Sequence, residues 1–350
     1  MGNCAPKPRK ATPGFDPYVG SPEPPPTPPP TKKAAVRLHG PAGSSATSTI
    51  RVALLYKSAA VQFFPSREGP LLEHAGESVA GTPEAILQYI DAKLPGPAIL
   101  GKGLVPAQPG MALAAALQHR SMERHLERIA RWAEGLAAEE VGGVEGKDRR
   151  RCRAETRRLR RSYAQLAEMM LEHAQMEERL VFPALESADR GWCRAATEEH
   201  ARELPIINGI KEDIKSVVVL DPGTPAHREA LLHLSLRLRS LQEQCREHFA
   251  EEERELLTLL EATERVGGRG RAERAVEQLV ESMEGTHSHL FTYLAAGLLP
   301  PEVMQYLDVV CRCRDQRRVA GMLRSLEARL EAAGTPATTS LSSLFKVTQQ

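Results

Sequence analysis

The sequence predicts a mainly α protein: a four-helix bundle with extra C-terminal helices, preceded by a small α/β domain. Three observations predict it. From residue 111 to about 335, apolar residues recur at helical spacing between Gly- and Pro-marked breaks. From 35 to 95, short apolar runs alternate with turn signals and two helical patterns. Finally, "EHAQMEERLVFPALE" (172–186) recurs 75 residues later as "EHFAEEERELLTLLE" (247–261), with seven identities in fifteen positions.

The chain of 350 residues is long enough for two domains plus tails. A net charge of +1 gives no general electrostatic case for nucleic acid. The basic runs Arg149–Arg151 and Arg157–Arg161 alternate with acidic stretches and read as solvated helix faces. No stretch approaches the length of apolar chain that spans a bilayer. The six cysteines (Cys4, Cys152, Cys193, Cys245, Cys311 and Cys313) form no CxxC pair, and no secretory segment precedes them. That pattern suits a reducing, cytoplasmic compartment.

Residues 1–33, with "SPEPPPTPPPTKK", read as a disordered, partly polyproline tail. The opening "MGNCAPKPRK" suggests N-myristoylation at Gly2 and S-palmitoylation at Cys4 beside Lys7, Arg9 and Lys10. Two such signals would hold the protein at a membrane surface. Pro6 departs from the acylation motif, which wants Ser or Thr there.

Residues 34–95 form the α/β domain. "AVRLHG" and "AAVQFFP" read as strands with the helix "TSTIRVALLYK" between them. "GPLLEHAGESVAG" follows as two short strands, then "TPEAILQYIDAKL" as a helix capped by Thr82 with Pro83 in its first turn. That order resembles the thioredoxin-like half of glutathione transferases, with Pro70 where that family has a cis-proline before a strand. The departures matter: "GPAGSSATST" has no cysteine, and Thr82-Pro83 stands where the family's Glu-Ser pair holds glutathione. The resemblance therefore implies a docking domain for a protein partner rather than a glutathione site.

Residues 96–110 are a Gly/Pro-rich linker, 111–265 the bundle, 266–335 a helical extension and 336–350 a mobile tail. In the second bundle helix Leu159, Tyr163, Leu166, Met170, His173, Glu177 and Leu180 make one stripe. His173 and Glu177 sit at its centre, four residues apart and aimed the same way. His248 and Glu252 take the same places in the fourth helix, and His200 is the polar intruder in the third. In the first helix His119 and His125 both flank the inner face, and periodicity does not choose between them. Alone, each residue is a core histidine or a surface pair. Together they would cost too much to bury without a shared partner. Imidazole with carboxylate suits iron, manganese or zinc, but four histidines and two carboxylates exceed one tetrahedral zinc. A dinuclear centre of two iron ions is the natural reading. Tyr163 reads as packing, Glu178 as a supporting or surface group, and His287 and His289 as surface residues.

His119, His173/Glu177, His200 and His248/Glu252 resemble the hemerythrin family, in particular its HHE cation-binding branch. "HRSMERHLERI" matches the first-helix phrase and selects His119 over His125. The resemblance implies a non-haem di-iron centre bridged by Glu177 and Glu252. Oxygen carriers of the family have a further histidine where this chain has Leu204. The chain is thus closer to iron- and oxygen-responsive regulators, although no RING-like or F-box-like segment is visible. The expected function is an iron- or oxygen-responsive metal-binding protein and not an enzyme. A di-iron oxidase, peroxidase-like or nitric-oxide-handling activity is the alternative.

Overall fold

The computed structural model describes residues 36–57, 59–101, 110–141, 146–186, 190–267 and 269–334. Gly2, Cys4, the proline-rich tail, most of the linker and the last residues lie outside that set.

The α/β part follows the expected order. Strands β1 (Val36–Gly40), β2 (Val61–Pro65), β3 (Leu71–His74) and β4 (Glu77–Ala80) form one sheet in the order β2-β1-β3-β4. Strand β1 runs parallel to β2, with Leu38 opposite Phe63, and antiparallel to β3, with Leu38 opposite Leu72. Helix α1 (Ser45–Tyr56) makes the crossover a parallel pair requires, and α2 (Pro83–Lys93) starts at the Thr82 cap. Alternation buries Val36 and Leu38 against Ile50, Leu54, Ile86 and Ile90 and leaves Arg37 exposed. Asp91 closes the unit by pairing with Lys57 and accepting the N–H groups of Ile99 and Leu100. Pro70 precedes β3, but its peptide bond is trans, contrary to the cis-proline of the resembled family.

The bundle is a ring of four long helices: α3 (Met111–Val141), α4 (Gly146–Met176), α6 (Arg190–Val219) and α7 (Pro225–Arg254). Helix α4 does not end cleanly. It widens into a π-helical turn, Glu177–Val181, before the short α5 (Phe182–Leu185). The cause is Pro183, which has no N–H for the Arg179 carbonyl and whose ring crowds it. The Phe182 N–H instead reaches back five residues to the Glu177 carbonyl. The repeat in α7 breaks similarly at Glu255, after which α8 (Leu256–Gly267) continues the fourth helix. Both carboxylate-bearing helices are thus irregular just after the carboxylate, as functional helices often are.

The extension comprises α9 (Arg269–Ser282), α10 (Phe291–Ala296), α11 (Pro300–Val310) and α12 (Gln316–Gly334). It packs along the flank of α3. Ser121 Oγ donates to the Leu294 carbonyl at 2.8 Å, Arg124 to the Gly297 carbonyl at 3.0 Å, and Arg124 also pairs with Glu302. A Cβ at Gly297 would run into the Ser121 side chain and backbone, so this close approach requires glycine. Helix α12 lies against α1, where Arg51 pairs with Glu327 at 2.9 Å. One continuous apolar core therefore runs from Val36 to Leu326.

His287 corrects the expectation. It is buried, 1% exposed, because the turn between α9 and α10 folds it under Tyr306. His289 is on the surface, beside Glu168.

Candidate metal centre

The stripe logic places His173 in the last turn of α4, Glu177 at the start of the π-helical turn that follows it, and His248 and Glu252 at the end of α7, facing across the bundle. His119 enters from α3 and His200 from α6. All six are 9% exposed or less. The Nε2 atoms of the four rings point at the two carboxylates. His173 is 3.2 Å and His119 3.6 Å from Glu177 Oε1, and His119 is 3.5 Å from Glu252 Oε2. His248 is 3.4 Å and His200 3.9 Å from Glu252 Oε1, and His200 is 3.6 Å from Glu177 Oε2.

Two donor groups result. One combines His119, His173, Glu177 and Glu252; the other His200, His248 and Glu252. Glu252 belongs to both, and Glu177 reaches both through its two oxygens. Glu177 Oε2 and both Glu252 oxygens are buried without a hydrogen-bond partner. Buried polar atoms are normally paired, so three orphans converging on one point mark a place shaped for cations.

Each ring's outer nitrogen is tied off, an arrangement that orients metal-ligating histidines. His119 Nδ1 faces Glu253 at 3.3 Å, and His200 Nδ1 faces Glu178 at 3.1 Å. His173 Nδ1 faces Gln118 Oε1 at 2.7 Å, and His248 Nδ1 faces Glu199 at 2.7 Å. The pattern is twofold. The residue after each central glutamate orients the histidine of α3 or α6; the residue before that histidine orients the one on α4 or α7. The repeated sequence thus encodes a pseudo-twofold centre with its support.

The two halves differ at one point. Glu199 is a carboxylic acid and borders a cleft of about 320 Å³ whose lining also includes Arg202, Glu203, Glu247, Glu251 and His248. Gln118, its counterpart, is neutral and fully buried. Its Nε2 donates to Tyr306 Oη at 2.8 Å, and Tyr306 Oη donates to His287 Nε2 at 2.9 Å. His287 Nδ1 donates to the Met283 carbonyl at 3.0 Å. Read from that carbonyl inward, every proton is fixed. His173 must donate through Nδ1 and present a bare Nε2 lone pair to the centre. Burial holds His287 neutral, with its pKa pushed down to about 4. Next to His173, Glu172 accepts the N–H groups of Gly285 and Thr286 and the Thr286 hydroxyl, so the extension also grips this helix directly.

The electrostatics agree with this proton assignment. His119 Nε2 lies 2.8 Å from His173 Nε2, a contact that needs one proton. Burial disfavours charge on His119, but Glu177, Glu253 and Glu252 outweigh it and raise its pKa to about 10. His173 is lowered, first by burial. His119 is therefore the imidazolium that donates to His173, and a cation held there would have to take that proton's place. Burial and then the Glu177 charge push Glu252 well above the usual carboxylate range.

His125 is settled by its partners. It stacks on Tyr293 and donates from Nε2 to the Tyr293 carbonyl at 2.8 Å, turned away from the centre. Tyr163 is buried and donates to the Ile207 carbonyl, consistent with packing. Leu204 is 42% exposed and brings nothing to the centre. Its neighbour Glu203, which sequence reading missed, lines the cleft instead; burial raises its pKa against the pull of His248 and His200.

The fold and donor set define a helical bundle built around a histidine–carboxylate cluster fitted to cations. The comparison with known families agrees: residues 115–260 match the hemerythrin HHE cation binding domain. No curated protein and no solved structure matches the chain. Among the described residues, no helix is long and apolar enough to cross a membrane.

Proposed function

We propose that the protein binds two iron ions through His119, His173, Glu177, His200, His248 and Glu252, with Glu177 and Glu252 bridging, and that it serves as an iron- or oxygen-responsive regulator. The observation that carries this reading is the set of three orphaned carboxylate oxygens surrounded by four Nε2 atoms whose outer nitrogens are already tied off. Imidazole with carboxylate suits iron, manganese or zinc, and six such donors exceed one tetrahedral zinc; iron is the metal we propose. Iron bound there would supply one-electron redox chemistry and affinity for small diatomic ligands such as O2.

The chain's own residues hold the site shut. His119, His173, Glu177 and Glu252 are 3% exposed or less, and of the six site residues His248 alone lines the surface cleft. Four glutamates and one arginine, Arg202, line that cleft, a balance of acidic groups that attracts cations and repels anionic organic substrates. This favours metal sensing over substrate turnover. Occupancy stabilises the folded chain by mass action, so stability would report iron supply. The sheet of residues 36–80, with the strand order and crossover of a thioredoxin-like unit, would then dock a protein partner. Acylation at Gly2 and Cys4 would place the protein at a membrane; mass measurement of the N-terminal peptide decides that point.

The central test is anaerobic ferrous loading followed by metal analysis and a near-ultraviolet spectrum. About two irons per chain are expected, with loss of both in His173→Ala and Glu252→Ala. No bound iron in the unaltered chain would refute the proposal. Oxygen or peroxide turnover by the loaded protein would favour the enzyme alternative.

A further inference from the structure

A second donor cluster lies far from the first. Glu140 is on the last turn of α3, Cys152 in the second turn of α4, and His227 in the first turn of α7. Glu140 stands 21 residues beyond His119 on one helix, a separation of about 30 Å at helical rise. All three side chains are buried: Glu140 0%, His227 1% and Cys152 5% exposed. His227 Nδ1 is 3.1 Å and Cys152 Sγ 3.6 Å from Glu140 Oε1, and the three donor atoms lie within 4.8 Å of one another.

Two features are not explained by packing. Glu140 is fully buried, and its polar partners among the described residues are the Gly223 N–H, the Cys152 thiol and the His227 ring. Neither a lysine nor an arginine is among those partners. His227 Nδ1, buried and aimed at the same oxygen, makes no well-directed hydrogen bond. The distances fit a metal tetrahedron instead. With zinc–ligand bonds of about 2.0–2.3 Å, neighbouring O and N ligands stand about 3.4 Å apart, and O and S ligands about 3.6 Å.

We propose that Glu140, Cys152 and His227 form a second metal site, specific for zinc, that ties together the ends of α3, α4 and α7. A thiolate in a mixed S, N, O set selects a borderline-soft ion, whereas the sulfur-free centre suits iron. Three protein donors leave the fourth tetrahedral position to solvent. On binding, zinc takes the lone pair of His227 Nδ1 and displaces the Cys152 proton to water. Without zinc, burial and then Glu140 hold that thiol protonated, with a pKa raised to about 11. The local fold prepares the site. Thr224 caps α7 by accepting the His227 N–H, and Gly223, at φ +86°, turns its own N–H onto Glu140.

The test is titration of the full chain with cobalt(II), whose thiolate charge-transfer band reports a sulfur ligand. The iron centre proposed above has no sulfur donor, so failure of one site does not mimic failure of the other. One equivalent of cobalt should produce the band, and zinc should abolish it by displacement. Cys152→Ser should remove the band, and Glu252→Gln should leave it intact. If circular dichroism shows that Cys152→Ser does not fold, His227→Gln replaces it and should weaken cobalt binding at least tenfold. Absence of the band in the unaltered chain, its persistence in Cys152→Ser, or unchanged affinity in His227→Gln would overturn the proposal.

Discussion

Replacing Glu252 by glutamine should move stability in opposite directions with and without metal. In the metal-free chain both Glu252 oxygens are buried and unpartnered, and Glu177 lies beside them. An unsatisfied buried polar atom costs about 1–3 kcal/mol, and more when charged. Glutamine keeps the shape, cannot carry the charge, and offers an N–H to the orphaned Glu177 Oε2. Metal-free Glu252→Gln should therefore gain about 2 kcal/mol. At about 2–4 °C per kcal/mol for a large domain, that raises Tm by about 4–8 °C. With iron at about one hundred times its Kd, the unaltered chain should gain about 2.7 kcal/mol, while Glu252→Gln should gain almost nothing. Anaerobic thermal melts in chelator and in ferrous iron give all four numbers. A metal-free variant less stable than the unaltered chain would show that the orphaned oxygens are not a cost. A variant stabilised by iron as strongly as the parent would show that Glu252 is not a ligand.

Other outcomes follow from the same geometry. Tyr306→Phe leaves the Gln118 amide and His287 Nε2 unpaired, so it should cost about 1–3 kcal/mol in chemical denaturation and lower iron affinity about tenfold or more by releasing His173. His287 is held neutral in the fold at a pKa of about 4 against 6.5 when exposed, so the unfolded chain binds more protons between those values. Its contribution is complete above about pH 6.5 and is lost as pH falls towards 4. The loss amounts to about 3 kcal/mol, and denaturation midpoints of His287→Gln should lack that part of the acid slope. Gly297→Ala should cost about 1–3 kcal/mol by prising α10 from α3, read as a lower Tm with unchanged iron content.

The helical stripes, the repeat and the six donors could be read because helix periodicity projects residues four apart onto one line. His119 could not be separated from His125 that way, since both flank the stripe. The choice depends on Tyr293, far along the chain, which occupies His125. The orienting residues carry a weaker signal, from which the sequence alone yields only Glu178 as a supporting or surface group. Glu178 and Glu253 are identical positions of the fifteen-residue repeat, and Gln118 and Glu199 each immediately precede a histidine. His287 reads as a surface residue because it lies near a glycine break, whereas its burial depends on Met283 and on Tyr306, a residue from another helix. The cluster of Glu140, Cys152 and His227 left no pattern at all, because its members come from three helices with no shared period. The π-helical turn at Glu177 was written in Pro183, whose missing N–H could have been weighed against the helix it interrupts.

The grip of α10 and α11 on α3 also decides how much of the chain constitutes the working unit. A fragment ending at residue 260 would contain all six predicted ligands. It would also strip partners from Gln118, Ser121, Arg124 and His125, a row along one helix that includes the support of His173. Such a fragment would bind metal in a looser cage and lose solubility along an uncovered flank. The part of the chain that supports His173 therefore lies partly beyond the segment that matches the hemerythrin HHE family model.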